Sequence, residues 1–280
     1  MKVFLTGISG QLGYDVAREL KKRKLDFMGV SSRELDIRDP LAVDAMLTDY
    51  RPDAVIHCAA YTKVDHAEEE AEVCWDVNAE GTKNIASVCR RLGARLIYIS
   101  TDYVFPGNGE RFYEPDDPVS PLNVYGMSKY AGELAVRSLV REHFIVRTSW
   151  VIGENGGNFV KTMLRLAETH ATLSVVDDQI GSPSFTADLA PLLCDMLVSE
   201  RFGTYHAANE GICSWAELAE TIFSYAEKNV LVRHVSTEEY GAVAARPLNS
   251  RLNKAKLAEN GFAQLPDWRS SLKRYLRCLE

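Results

Sequence analysis

No stretch of this chain is apolar for long enough to span a bilayer, and no two cysteines are spaced as Cys-x-x-Cys. The six cysteines, Cys58, Cys74, Cys89, Cys194, Cys213 and Cys278, stand apart in mostly apolar surroundings. They read as small buried thiols in a reducing compartment, and neither a disulfide framework nor a cysteine-held metal is indicated. The histidines show no metal-ligand spacing either: His57 reads as core and His66 as solvated. An excess of basic charge is also missing. With 32 Lys and Arg against 39 Asp and Glu, the net charge is -7, which argues against nucleic acid or an anionic membrane as the main partner. Internal repeats, low-complexity segments and Gly/Ser linkers are absent too. The opening "MKVFLTG" runs straight into a strand and a glycine turn, so no cleavable signal is expected, and the expected location is the cytoplasm.

What remains is ordinary globular composition: 280 residues, 46% hydrophobic and 25% charged, enough for one large domain or two joined lobes. The first half alternates strand and helix signals. "KVFLT", "DFMGV", "DAVIHCAA", "ARLIYIS" and "FIVRTSW" read as strands. Between them, "GQLGYDVARELKKR" carries Leu12, Val16 and Leu20 on one helical face, and "DPLAVDAMLTDY" opens with an Asp39 cap and Pro40. "AEVCWDVNAEGTKNIASVCRRLG" reads as one long helix closing on Gly93, with the charge run Glu68–Glu70 as an exposed helix start, and "VYGMSKYAGELAVRSLV" as another helix. This alternation predicts an α/β chain, a Rossmann-type doubly wound parallel sheet with a smaller, interleaved C-terminal substrate lobe. The expected division is 1–152 for dinucleotide binding, completed by about 186–208, and 153–280 mainly for substrate.

"TGISGQLG" places Gly7, Gly10 and Gly13 between the first strand and the first helix. A tight turn there needs positive φ, a pyrophosphate needs close approach to the backbone, and a helix N-terminus offers amides to the anion. The spacing is one residue longer than the common dinucleotide fingerprint, but its place after a strand and before an amphipathic helix marks it as a nucleotide turn. The second strand runs out into "SSRELD". Arg33 with Ser31 and Ser32 suits a 2′-phosphate, Glu34 a free 2′-hydroxyl; the balance favours NADPH, with NADH the alternative. Asp36, followed by apolar Ile37, is placed to meet the adenine amine.

A buried strand that ends in Ser100–Thr101–Asp102–Tyr103 carries more polarity than a turn requires. Tyr125 and Lys129 follow in "YGMSK", spaced i, i+4 so that one helical face presents both. A tyrosine is a poor acid–base group at neutral pH, and an ammonium beside it is expected to lower its pKa. Thr101 can hold a carbonyl oxygen, Tyr125 supply a proton and Lys129 hold a nicotinamide ribose, the parts of a carbonyl reductase.

Here the residues resemble a known family, the extended short-chain dehydrogenase/reductases, and within it the branch that completes dTDP-L-rhamnose synthesis. "GISGQLG", "RPDAVIHCAAYTKVDHAE", "VNAEGT", "STDYVFPG", "PLNVYGMSKYAGE", "RTSWVIG" and "RPLNSRLN" carry the likeness. The resemblance implies Thr101, Tyr125 and Lys129 as catalytic residues. Gln11 and Leu12 join the glycines, and Ala59, Ala60 and Tyr61 line the cofactor cleft. Thr62, Val64, Asp102, Tyr103 and Trp150 would face a dTDP-sugar, with Arg246 or its neighbour Arg251 meeting the diphosphate. Trp150 is read as ending the strand "FIVRTSW". Related dehydratases use an Asp-Glu pair where Asp102 is followed here by Tyr103, so elimination of water is not expected.

The implied reaction is reduction of the 4-keto group of dTDP-4-dehydro-L-rhamnose. Another dTDP-4-keto-6-deoxy sugar, or a non-catalytic NADP-binding regulatory subunit, is the alternative. Some members of the branch bind magnesium between subunits. Asp15 and Asp188 are the acids on offer, no full ligand set is matched, and no metal is expected. Nothing in the pattern sets the oligomeric state, for which a homodimer is the working expectation.

Overall fold

A computed structural model describes residues 1–279. The chain begins β1 (Lys2–Thr6), α1 (Gln11–Lys22), β2 (Asp26–Val30), α2 (Pro40–Tyr50) and β3 (Ala54–His57). Helix α1 buries Leu12, Val16 and Leu20, and the Asp39 side chain caps α2 by accepting from the amides of Leu41 and Ala42. Next come α3 (Val64–Glu69), α4 (Ala71–Trp75), a π-helical stretch Asp76–Gly81, and α5 (Thr82–Leu92), which ends on Gly93 at a φ of 70°. The long helix expected here is therefore interrupted. The widened turn carries Asn78, whose side chain bonds both backbone groups of Tyr61, and such turns often mark functional sites. Glu68–Glu70 do not open a helix run; they span the end of α3 and the junction before α4, where Glu68 accepts from the amide of Val124.

The chain continues through β4 (Arg95–Thr101), α6 (Val124–Leu139) and β5 (His143–Thr148). These strands, with β10 (Gly203–His206), form one parallel six-stranded sheet in the order β10-β5-β4-β3-β1-β2. Alternate residues of β1 feed opposite cores: Val3 and Leu5 pack toward α1, Phe4 toward α2 and α5. Both faces are covered, as a parallel sheet requires. The order reverses between β1 and β3, where ligands of such sheets bind outside the carboxyl ends.

The rest is interleaved with that sheet: β6 (Val151–Ile152), α7 (Phe159–Leu166), β7 (Thr172–Val176), β8 (Ile180–Gly181), β9 (Ser184–Phe185), α8 (Thr186–Leu197), β10 (Gly203–His206), β11 (Cys213–Ser214), α9 (Trp215–Tyr225), β12 (Leu231–Val235), α10 (Thr237–Tyr240), β13 (Asn249–Ser250), α11 (Ala255–Glu259) and α12 (Trp268–Leu279). Helix α8 packs on α1 and β10 pairs with β5, so this segment returns to the large sheet. The remainder makes three small sheets, β11-β8-β13, β12-β7 and β6-β9, around a separate core that includes Ile222, Phe223 and Trp268. Strand β5 stops at Thr148. Trp150, expected as its last residue, has a φ of 47°, which a strand cannot hold.

Candidate active site

Two clefts meet at the glycine turn, one of about 540 Å³ and one of about 590 Å³, with Gly10, Cys58 and Ala60 bordering both. The turn exists because Gly7 takes a φ of 72° and a Cβ there would lie 2.7 Å from the Ala59 nitrogen. Helix α1 follows with no side chain capping its N-terminus, leaving its first amides for a ligand. An anionic pyrophosphate fits this cradle.

The first cleft is bordered by Gly7, Gly10, Ser32, Asp36 and Ile37, and across from them by Ala59, Ala60 and Tyr61. Arg33 is not part of its wall; Arg38 is. Two hydrogen bonds from its guanidinium hold Arg38 on Asp36, at 2.9 and 2.6 Å, so the Asp36 carboxylate expected to meet adenine is already engaged. That pairing holds the Asp36 pKa below its ordinary value. Glu34 turns away, accepting from the amide and hydroxyl of Ser31. The Tyr61 hydroxyl donates to Glu70 at 2.5 Å.

The second cleft gathers Thr101, Tyr125 and Lys129 with Gln11, Leu12 and Gly13. Asp102, Tyr103, Thr62, Val64 and Trp150 also border it. Thr101 ends β4; its hydroxyl accepts from the Tyr103 amide at 3.2 Å and donates to Asp102 at 3.0 Å. Asn123 caps α6 by accepting from the Gly126 amide at 2.8 Å, which sets the helix phase that turns Tyr125 and Lys129 together into the cleft. Tyr103 meets Tyr125 edge to face, with centroids 5.5 Å apart. The Lys129 ammonium sits 4.1 Å above the Tyr98 ring.

Burial dominates the electrostatics. It raises the Tyr125 phenol above its ordinary pKa, with the Thr101 hydroxyl acting the other way. Burial also brings Lys129 down to about 7, against the pull of Glu133 one turn along α6. The expected lowering of the phenol by Lys129 is therefore outweighed by burial, and the tyrosine keeps its proton. Asp102 is pushed up to about 6 by burial, opposed first by the Ser250 hydroxyl and then by the Thr101 hydroxyl. Its Oδ2 is buried without a hydrogen-bond partner, as is the Thr148 hydroxyl on the same cleft.

Beneath the cleft lies a support that sequence reasoning missed. Glu133 of α6 and Arg147 of β5, both essentially inaccessible, pair through bonds of 2.8 and 2.7 Å. Ser100 of β4 donates to the same carboxylate at 2.6 Å. Thus the helix bearing Tyr125 is tied to two strands at once.

Other expected residues have different duties. Gln11 accepts from the Gly153 amide at 2.8 Å and from Asn158 at 3.1 Å, tying the glycine turn to the segment after β6. Arg246 does not border the cleft; it pairs with Asp65 and donates to the Tyr103 hydroxyl at 3.2 Å, while Arg251 donates to Asn249. Asp15 accepts from Thr186 and Arg18, and Asp188 from Asn209, Ser271 and Arg274. Among the described residues no group of three metal-ligating side chains gathers. Phe159 and Trp215 also line the second cleft, and a capping box between Ser214 and Glu217 sets the start of the helix that Trp215 opens.

The fold and the paired clefts define a nicotinamide-nucleotide-dependent oxidoreductase of the extended short-chain type. Comparison with known proteins narrows this. The chain matches the RmlD substrate binding domain model over residues 1–280, and it belongs to that family. It is 41% identical over 276 residues to the spore coat polysaccharide biosynthesis protein SpsK of Bacillus subtilis, covering 99% of this chain and 97% of that one. It is 40% identical to the dTDP-4-dehydrorhamnose reductase of Streptomyces griseus, covering 96% and 90%. The crystal structure of dTDP-4-dehydrorhamnose reductase from Bacillus anthracis in complex with NADP is similar, with a TM-score of 0.96, 46% identity and coverage of 99% and 98%. No helix among the described residues is long and apolar enough to cross a membrane.

Proposed function

We propose that this chain reduces the 4-keto group of dTDP-4-dehydro-L-rhamnose with NADPH, giving dTDP-L-rhamnose for polysaccharide synthesis in the cytoplasm. The observation that carries the reading is one cavity in which Thr101, Tyr125 and Lys129 stand together, opening onto the glycine-turn cleft. Residues 1–152, completed by about 186–208, hold the cofactor; 153–280 mainly place the sugar.

The bound nicotinamide supplies a hydride to the ketone carbon. The Tyr125 phenol, kept protonated by burial, gives its proton to the ketone oxygen, and the carbonyl becomes an alcohol. Lys129, with a pKa brought near 7, changes its protonation easily at neutral pH and returns a proton to Tyr125 after turnover. Thr101 turns its one hydroxyl proton from Asp102 to the same oxygen. Asp102, which borders the same cleft, accepts from a sugar hydroxyl. No second carboxyl follows Asp102, so the site reduces and does not dehydrate.

The test is NADPH and NADH consumption across dTDP- and GDP-linked 4-keto-6-deoxy sugars. Turnover is expected with dTDP-4-dehydro-L-rhamnose and NADPH. Tight NADPH binding without consumption on any of these sugars would replace the enzyme by a dinucleotide-binding regulatory protein.

A further inference from the structure

We propose that Trp215 is a positioning residue: its indole, stacked on Trp150, holds the Trp150 ring as the wall against which the keto-sugar is placed. This rests on the functional reading above. Trp150 lies just beyond β5 with a φ of 47°, a left-handed conformation that a bulky residue keeps only where its surroundings enforce it. Its carbonyl accepts from the Ser184 amide at 3.1 Å, which fixes the backbone at one point. The ring is fixed by the second lobe. Trp215 stacks on it with centroids 3.8 Å apart and planes 17° from parallel, and Phe159 leans on Trp215 at 4.6 Å and 53°.

The edge of the indole meets β8. A Cβ at Gly181 would come within 3.1 Å of Cε2 and Cζ2 of Trp150, so the absence of a side chain there lets the strand close on the ring. Trp215 is in turn held from behind. It opens α9 directly after Ser214, whose capping box with Glu217 fixes the helix start and whose strand pairs with Ile180. Helix α9 and strand β8 thus meet the Trp150 ring directly, and helix α7 backs the Trp215 ring. Trp150, Phe159 and Trp215 all border the cleft that holds Thr101, Tyr125 and Lys129. An apolar, rigid face suits the ring hydrogens and methyl group of a deoxysugar.

The experiment compares Trp150→Ala, Trp215→Ala, the double variant and Trp215→Phe. It reads kcat, the KM of the dTDP-keto-sugar, the Kd of NADPH and the exciton circular dichroism of two stacked indoles. Loss of the exciton signal is expected in every variant. Trp215→Ala should raise the sugar KM by up to about tenfold, from the worth of one aromatic pair, with kcat and NADPH binding little changed. Trp215→Phe should restore most of that KM. The double variant should be no worse than Trp150→Ala, because Trp215 acts through its partner. Additive losses, an unchanged KM in Trp215→Ala, or an equal loss of NADPH affinity would overturn the proposal. A wild-type chain that neither binds nor reduces a dTDP-sugar overturns the functional reading along with it; an active wild type with additive variants overturns this inference alone.

Discussion

The catalytic cleft has a floor from β4, β5 and α6 and a wall from the second lobe, and the two are held differently. The floor is polar: Glu133, Arg147 and Ser100 form a buried hydrogen-bonded network, which Arg137 joins from the surface side. The wall is aromatic, carried by two-residue strands and a stack of rings, with a tryptophan in a left-handed backbone conformation. Proton transfer tolerates little displacement, so the phenol and ammonium sit on a helix bolted to two strands. Fitting a sugar ring needs shape more than hydrogen-bond geometry, and packed rings on short strands supply it.

The sharpest break of this comparison is at the floor's surface. Tyr125→Phe removes one oxygen and no packing, and should lower turnover by roughly 10²–10⁴-fold with NADPH affinity retained. Stopped-flow hydride transfer and cofactor titration measure the two separately; near-normal turnover would reject the proton donor. One layer down, Glu133→Gln leaves Arg147 as an uncompensated buried charge. The expected loss is about 3–5 kcal/mol of folding stability, read as a lower denaturation midpoint. A change within about 0.5 kcal/mol would mean that the network is not what secures the floor.

The floor was largely legible in the sequence and the wall was not. Tyr125 and Lys129 share a helix, so a four-residue spacing fixes their common face. Thr101 ends a strand whose apolar run is unmistakable. Glu133 and Arg147 join elements whose existence was clear, but nothing local says that a glutamate in "AGELAV" turns inward. Trp150 was placed on the wrong side of a strand end because only tertiary packing selects its positive φ. Trp215 was hidden for a similar reason: its role comes from strands of two residues, too short for any periodicity to register. Arg33 was read as the partner of a 2′-phosphate and Arg38 passed unnoticed because the turn after β2 cannot be phased by pattern; the fold brings the later arginine to the cleft.

Between floor and wall stands Asp102, and it offers a smaller effect. Burial raises its pKa from 3.8 to about 6, so the folded state favours the protonated acid. Its stabilising contribution is complete below about pH 4 and is lost as pH rises through 6. Asp102→Asn should therefore stabilise the empty chain on the order of 2 kcal/mol at pH 7.5 and much less at pH 4, while weakening sugar binding. Denaturation of both chains at the two pH values checks this; a gain that is larger at the acidic end would refute the sign.

The smallest expected effect lies outside the cleft's paired interior, at the nucleotide end, where charge is exposed. Arg38 is half-exposed and held by Asp36, so it is already oriented along the wall of the cofactor cleft without being buried. Its attraction for a 2′-phosphate is screened by water, which limits its worth to about 1 kcal/mol or less. Arg38→Ala should then raise the KM for NADPH by up to about fivefold, leave NADH nearly unchanged, and lose its effect at high salt. Arg33→Ala, outside that wall, should do less. If Arg33 instead carries the NADPH preference, the turn after β2 rearranges when the cofactor binds, and the cleft's nucleotide end is shaped by its ligand while the floor is not.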